Sequence, residues 1–457
     1  MPIFEKESHI QASLKELFNW HNRPLSFERL TPPWEKIKVI EKQGGIEDGS
    51  RAVLEVQEGP FRRRWVAIHH DYIEGSQFAD EQVQGPFAKW IHTHQFLPGE
   101  GDTSILKDHI DYAPPLGFVG RLLAGGFINR KLDRTFWFRH TRVKNDLKRL
   151  HPYAQQPSLK ILVSGSSGMI GNPLCTFLSC AGNQVKTLVR RPPKLESPEI
   201  FWDPYRQELD KTSIESLDAV VHLAGENIGA GSWTPARKEA IRKSRVEGTA
   251  FLAQTLASLK HPPKVLVVSS AIGFYGDRGE EELTEESPVG KGYLPETCKA
   301  WEEAVEPARK AGIRVVNLRT GIVLARNAGA LAKMLPPFYM GVGGPIGSGN
   351  QWMSWISLED LIGIFHFAIN NPALSGPVNA TAPWPVTNKA FAKTLGRVLG
   401  RPALFPLPAF MVKTLFGEMG QTLLLEGQKV KPAKLTAAGF EFFYPDLETA
   451  LRWELGK

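Results

Sequence analysis

Cysteine is scarce in this chain: Cys175, Cys180 and Cys298 are the only three among 457 residues. An odd count without paired spacing excludes a disulfide framework. No Cys/His run has zinc-ligand spacing either, so no metal is expected. Long apolar runs are missing too. The most apolar stretch, 114–128, is interrupted by Arg121 and several glycines, and it falls short of the roughly 20 residues that a membrane span requires. The opening MPIFEKESHIQ has no basic stretch leading into an apolar run, so no signal peptide is expected and a cytoplasmic protein is the natural reading. Charge of one sign is not in large excess: the net charge is +7, with 23% charged and 42% hydrophobic residues. That composition suits a soluble globular protein, and the length suits two or three domains.

Part of the basic excess is local. Between Arg130 and His151, eight Lys and Arg residues face only Asp133 and Asp146. A nucleic-acid or membrane-surface patch is one reading. However, Leu132, Phe136, Val143, Leu147 and Leu150 recur at helical spacing, which predicts a docked amphipathic helix with a solvated basic face and no nucleic-acid partner. The linker-like HPYAQQPS (151–158) then separates two segments of different character. Before it, 51–56, 64–69, 90–96 and 103–110 read as strands, with a short helix at 14–20. With the opening strand FEKESHI, the segments FRRRW (61–65) and IDYAPP (110–115), and the closing helix, residues 1–154 resemble the START-like (polyketide-cyclase-like) helix-grip family. That resemblance implies an α+β domain with a cavity for an apolar ligand. A filled core without ligand is the competing reading.

After the linker, apolar runs at 159–165, 185–191, 219–225, 264–270 and 313–319 alternate with helical stretches, notably 236–259 and 299–310. Strands alternating with helices imply a doubly wound α/β domain around a parallel sheet. The sharpest motif is Gly165-Ser166-Ser167-Gly168-Met169-Ile170-Gly171, placed between the first strand and a helix. Glycines there allow a tight turn and let a pyrophosphate approach the backbone, while the helix N-terminus offers free N–H groups. The next strand ends in Arg190 and Arg191 with no carboxylate. That pair suits a ribose 2′-phosphate, so the expected cofactor is NADP(H) rather than NAD.

The motifs SGSSGMIG (164–171), HLAGENI (222–228), SRVEGT (244–249), SSAIGFYGD (269–277), LRTGIVLAR (318–326) and GGPIGSGNQWMSWISLEDL (343–361) resemble the extended short-chain dehydrogenase/reductase superfamily. The likeness is closest to its nucleoside-diphosphate-sugar epimerase-like group, including a C-terminal extension at about 404–451. The resemblance spans most of 159–457. It implies that Leu223, Ala224 and Gly225 line the adenosine side of the cofactor, that Arg245 reaches it, and that the turn containing Ile322 lies near the nicotinamide. A plain strand end and a surface ion pair are the competing readings of 223–225 and Arg245. The superfamily also uses Tyr-x-x-x-Lys with a Ser or Thr. Lys299 can be aligned as the lysine, but Pro295 stands where the tyrosine belongs and Ala271 where the hydroxyl belongs.

Ser270, Tyr275 and Tyr293, the last read as lying on a loop, are the candidate replacements. Lys299 could retain only its ribose-binding part, and Glu226, counted with Leu223–Gly225 among the cofactor-binding residues, is a carboxylate placed either for acid/base work or for holding its loop. Trp352 and Trp355, in the glycine-rich stretch 343–355, either wall a substrate pocket or pack the C-terminal subdomain. Two functions remain in competition. One is an oxidoreductase or epimerase acting on a small carbonyl or hydroxyl compound. The other is a non-catalytic NADP(H)-binding sensor or carrier of an apolar ligand.

Overall fold

The computed structural model describes residues 2–115 and 117–457. Met1, inside the first expected domain, and Leu116, inside the apolar stretch 114–128, lie outside the described residues. The chain divides into two compact units: Met1–Pro157 with Ser179–Gly182 and Gly456, and Ser158–Leu178 with Asn183–Leu455 and Lys457. No described helix is long and apolar enough to cross a membrane.

The first unit is α+β. Strands β1 (Ile3–Ile10), β2 (Lys36–Gln43), β3 (Arg51–Glu58), β4 (Phe61–Ile73), β5 (Gln77–Gln84), β6 (Lys89–Pro98) and β7 (Ser104–Ala113) form one antiparallel sheet, in the order β1-β7-β6-β5-β4-β3-β2. Side chains in β6 and β7 alternate between buried and half-buried, as expected of a sheet with one covered face. Helix α1 (Leu14–Asn22) starts in a capping box between Ser13 and Glu16, which satisfies free N–H groups reciprocally. It is followed by α2 (Ser26–Leu30) and, after β7, by α3 (Gly117–Leu150). On α3 the apolar face is buried as the periodicity predicts, at Leu132, Phe136, Val143 and Leu147. The opposite face is not solvated throughout. Arg142 is buried with its guanidinium over the Phe138 ring, and Asp146 is buried in a bidentate pair with Arg29.

The second unit is a doubly wound α/β fold. Strand β8 (Lys160–Ser164) leads through the glycine loop to α4 (Gly171–Cys180). There follow β9 (Gln184–Val189), β10 (Glu199–Asp203), β11 (Glu208–Leu209), β12 (Ala219–His222), α5 (Pro235–Ala257) and β13 (Val265–Ala271). Two further strands, Arg314–Thr320 and Gly376–Ala380, complete the sheet in the order β11-β10-β9-β8-β12-β13-(314–320)-(376–380). All neighbours pair in parallel except β10 with β11. The central strands are buried on both faces, which explains their unbroken apolar runs. Where the sequence suggests one helix at 299–310, there are two, α6 (Tyr293–Glu303) and α7 (Glu306–Lys310). Pro307 accounts for the break, since it opens a helix readily but cannot continue one. Tyr293, read from sequence as lying on a loop, is the first residue of α6.

Candidate cofactor and substrate site

The order of winding reverses between β9 and β12, on either side of β8. A crevice opens at such a switch point, at the carboxyl ends of the strands. The loop 165–171 sits there. Gly165 has φ +69, and a Cβ on it would come within 2.9 Å of the Leu223 carbonyl carbon; a Cβ on Gly171 would overlap the Gly165 carbonyl. Both positions are therefore closed to side chains, and the backbone around Ser166, Ser167 and Gly168 turns tightly into α4.

The residues expected around this loop converge on it. Ser164 accepts hydrogen bonds from the amides of Leu223 (3.1 Å) and Ala224 (3.2 Å) and lies 2.7 Å from His222 Nδ1. With its lone pairs taken by the amides, the hydroxyl donates to that nitrogen, so the ring keeps its proton on Nε2. Burial holds the His222 pKa down to about 4. Gly225 follows, and a Cβ there would lie 3.5 Å from the Arg245 guanidinium. Arg245 stacks 5.1 Å from the Trp301 ring and donates to the Ile241 carbonyl. Burial lowers its pKa, and it makes no ion pair among the described residues. The surface ion pair considered for it from sequence is therefore absent. Met169 lies against Gly329, just beyond Ile322 and its short strand (Ile322–Leu324).

The two arginines after β9 differ. Arg191 is held by Glu199 of β10 in a bidentate pair at 2.5 and 2.9 Å, which raises its own pKa and lowers that of Glu199 to about 2. Arg190 is exposed and makes no ion pair among the described residues. The carboxylate missing from β9 is thus supplied by its neighbour, and it occupies one of the two charges. Glu226 is likewise engaged, with Arg237 at 3.0 Å and its own amide on Ser244, so it holds its loop.

The proposed catalytic hydroxyls lie in another place. Ser270 donates to Glu302 at 2.7 Å, Arg319 binds both Glu302 oxygens at 2.8 Å and reaches Tyr275 Oη at 3.0 Å, and Tyr275 donates to Asn379 at 2.7 Å. Ser270 and Tyr275 are buried, and burial raises the Tyr275 pKa. Their protons are committed to a closed network. Lys299 is exposed and lies 3.9 Å from Glu303, one turn along α6.

Beyond the ends of β12 and β13 opens a cleft of about 220 Å³. Trp233, Gly273, Asp277, Lys291, Tyr293 and Pro295 line one side, and Glu418, Thr422 and Glu426 of the C-terminal extension line the other. Tyr293 packs on Trp233 and donates to the Lys238 carbonyl at 2.8 Å; burial raises its pKa. Neither Ser270, Tyr275 nor Lys299 lines this cleft. The tryptophans singled out from sequence do not line it either. Trp355 is fully buried and donates to the Trp384 carbonyl, while Trp352 donates to Glu280. Trp233, an isolated residue in a loop, carried no sequence signal for this role. A more open depression of about 330 Å³ lies at the sheet edge beside Glu199 and Asp210, away from the strand ends where chemistry is expected.

Three family models match the chain: "Polyketide cyclase / dehydrase and lipid transport" at 10–138, "NAD dependent epimerase/dehydratase family" at 161–380, and a domain of unknown function, DUF1731, at 407–454. The epimerase family protein Mb2239 of Mycobacterium bovis is 41% identical over 291 residues, 64% of this chain and 96% of the relative. The human epimerase family protein SDR39U1 is 39% identical over 299 residues, covering 64% and 99%. Among solved structures, a nucleoside-diphosphate sugar epimerase from Corynebacterium glutamicum superposes with a TM-score of 0.80 at 31% identity, over 99% of this chain and 90% of that one. Human SDR39U1 (isoform2) with NADPH gives 0.60 at 37% identity, over 64% and 97%. On this fold, this glycine loop and these relatives, the chain belongs to the epimerase family of short-chain dehydrogenase/reductase-type proteins.

Proposed function

We propose that the second unit binds NADP(H) at the loop 165–171, the reduced form giving a hydride to a small carbonyl compound, or the oxidised form taking one from a hydroxyl compound, held in the cleft beside Trp233 and Tyr293. The observation that carries this reading is the cradle itself: Gly165 and Gly171 leave no room for a Cβ, so a pyrophosphate meets bare backbone at the start of α4. Arg190, with no ion pair among the described residues, would meet the ribose 2′-phosphate. Arg245, half-buried beside Gly225 and without an ion pair among the described residues, would face the cofactor from α5. The solved human relative carries NADPH, which agrees with this assignment.

Bound NADPH supplies a hydride. The chain supplies position and a proton: Tyr293 lines the cleft, and its phenol, which in this structure donates to the Lys238 carbonyl, would turn from that acceptor to protonate a developing alkoxide. Titrating the protein with NADPH and NADH, followed by nicotinamide fluorescence, tests the cofactor half. Arg190→Ala should weaken NADPH binding at least tenfold and leave NADH nearly unchanged; equal loss for both would refute the role given to Arg190. NADPH oxidation with a carbonyl panel tests the rest, and Tyr293→Phe should slow turnover at least tenfold with cofactor affinity intact.

A second reading draws on the network that binds Ser270 and Tyr275, because a chain that has locked these hydroxyls away can bind the cofactor without turning it over. The protein would then sense or carry an apolar ligand through its first unit. Saturable NADPH binding with no oxidation across the panel would favour it.

A further inference from the structure

We propose that Asp80, His92 and His94 in the first unit form a binding site for a divalent transition-metal ion. His92 and His94 alternate on β6 and therefore point to the same face. Sheet register places Asp80 of β5 opposite His92 and Asp108 of β7 opposite His94. All four are largely buried, the side chains of His92 and Asp108 being 4% exposed. One ligand atom from each of Asp80, His92 and His94 lies within 4.8 Å of the others.

The hydrogen bonds show which atoms are left for a cation. Asp108 Oδ1 receives His92 Nε2 at 2.8 Å and His94 Nδ1 at 2.6 Å, and its Oδ2 receives His140 Nε2 at 2.6 Å. An ionised carboxylate only accepts, so these three nitrogens carry the protons. In the neutral rings the remaining nitrogens, His92 Nδ1 and His94 Nε2, present lone pairs, whereas in a protonated ring they donate; both face Asp80 Oδ2 at 3.3 and 3.7 Å. Two lone pairs and a carboxylate oxygen cannot face one another without a positive species between them. That species is either a proton or a metal ion. Arg139, half-buried on α3, acts on both carboxylates electrostatically but forms no ion pair with either among the described residues.

Geometry favours the metal. Bonds of about 2.0–2.2 Å at tetrahedral angles set ligand atoms about 3.3–3.5 Å apart, close to the 3.3 and 3.7 Å from Asp80 to the two imidazoles, with all three ligand atoms within 4.8 Å. Asp108 holds the far nitrogen of each imidazole, the carboxylate–histidine arrangement that orients metal ligands. Two imidazoles and one carboxylate suit zinc or iron(II) rather than magnesium or calcium.

The test uses the full-length protein stripped with chelator and titrated with Co²⁺, followed by its visible absorption and by competition with Zn²⁺. One saturable site per chain is expected. Asp80→Asn and His94→Gln should each weaken it at least tenfold, whereas His109→Gln, half-exposed and bonded to Glu5 on the same sheet, should leave it unchanged. Absence of saturable binding, or equal affinity in wild type, Asp80→Asn and His94→Gln, would overturn the proposal and leave a proton in that position. If the substituted chains misfold, X-ray absorption of the zinc-loaded wild type decides. Two imidazoles and a carboxylate are expected, and any other ligand set refutes the site.

Discussion

A buried charge is worth what its partners make it, and Arg319 is the clearest case in this chain. Its guanidinium is 4% exposed and Glu302 is 11% exposed. Burial works against the charge, but Glu302 outweighs it and raises the Arg319 pKa. Removing one partner leaves the other uncompensated, so Glu302→Ala should cost about 3–5 kcal/mol of stability. Tyr275→Phe should cost about 1–2 kcal/mol and leave NADPH affinity unchanged; denaturant unfolding and cofactor titration measure the two. A large loss of turnover in Tyr275→Phe without loss of stability would return that residue to the catalytic list. His222 gives the pH dependence. Its folded pKa, about 4, lies below the unfolded value of about 6.5, so the unfolded chain binds more protons between these values. The stabilisation is complete above pH 6.5 and is lost as pH falls towards 4, on the order of 3 kcal/mol in all. His222→Asn, whose amide oxygen can still accept from Ser164, should flatten this part of the unfolding-against-pH curve. An unchanged slope would mean that other groups set it.

At the scale of elements, legibility follows from whether a signal is local. The five central apolar runs and the glycine loop are contiguous, and each predicts its own element without reference to the rest. The cleft is not contiguous: Trp233, Tyr293 and Glu418 come from separate elements and meet only in the folded unit. The His–Asp group of the first unit is hidden in the same way. His92 and His94 read as an ordinary strand pair until the register supplies Asp80 and Asp108 from the flanking strands. Trp352 and Trp355 stay ambiguous in the sequence because an aromatic, glycine-rich stretch looks the same whether it walls a pocket or fills a core. The glycine loop allows a graded test. In Gly171→Ala the new methyl would overlap the Gly165 carbonyl, whereas in Gly168→Ala it meets that oxygen at 3.2 Å. NADPH affinity should therefore fall at least tenfold in the first variant and several-fold less in the second, since overpacking against backbone admits little relief. The reverse order would mean that the loop contacts do not shape the cradle.

For the molecule as a whole, the question is what the first unit contributes to the second. Mb2239 and human SDR39U1 each match 64% of this chain and are covered over 96% and 99% of their own length, so a stretch the size of the second unit corresponds to nearly the whole of those proteins. Its sheet, the glycine loop, Arg190, Arg245 and every residue lining the cleft lie in the stretch 158–457. A core buried on both faces of an eight-stranded sheet, in a unit of about 300 residues, is large enough to fold without help. A fragment from Ser158 to Lys457 should therefore fold cooperatively and bind NADPH within about threefold of the full chain, a difference below about 0.7 kcal/mol. Calorimetric unfolding and the same fluorescence titration measure both. A folded fragment with much weaker binding would show that the first unit tunes the cofactor site. An unfolded fragment would make it part of the scaffold. Unchanged binding would leave the first unit free to act through chemistry of its own.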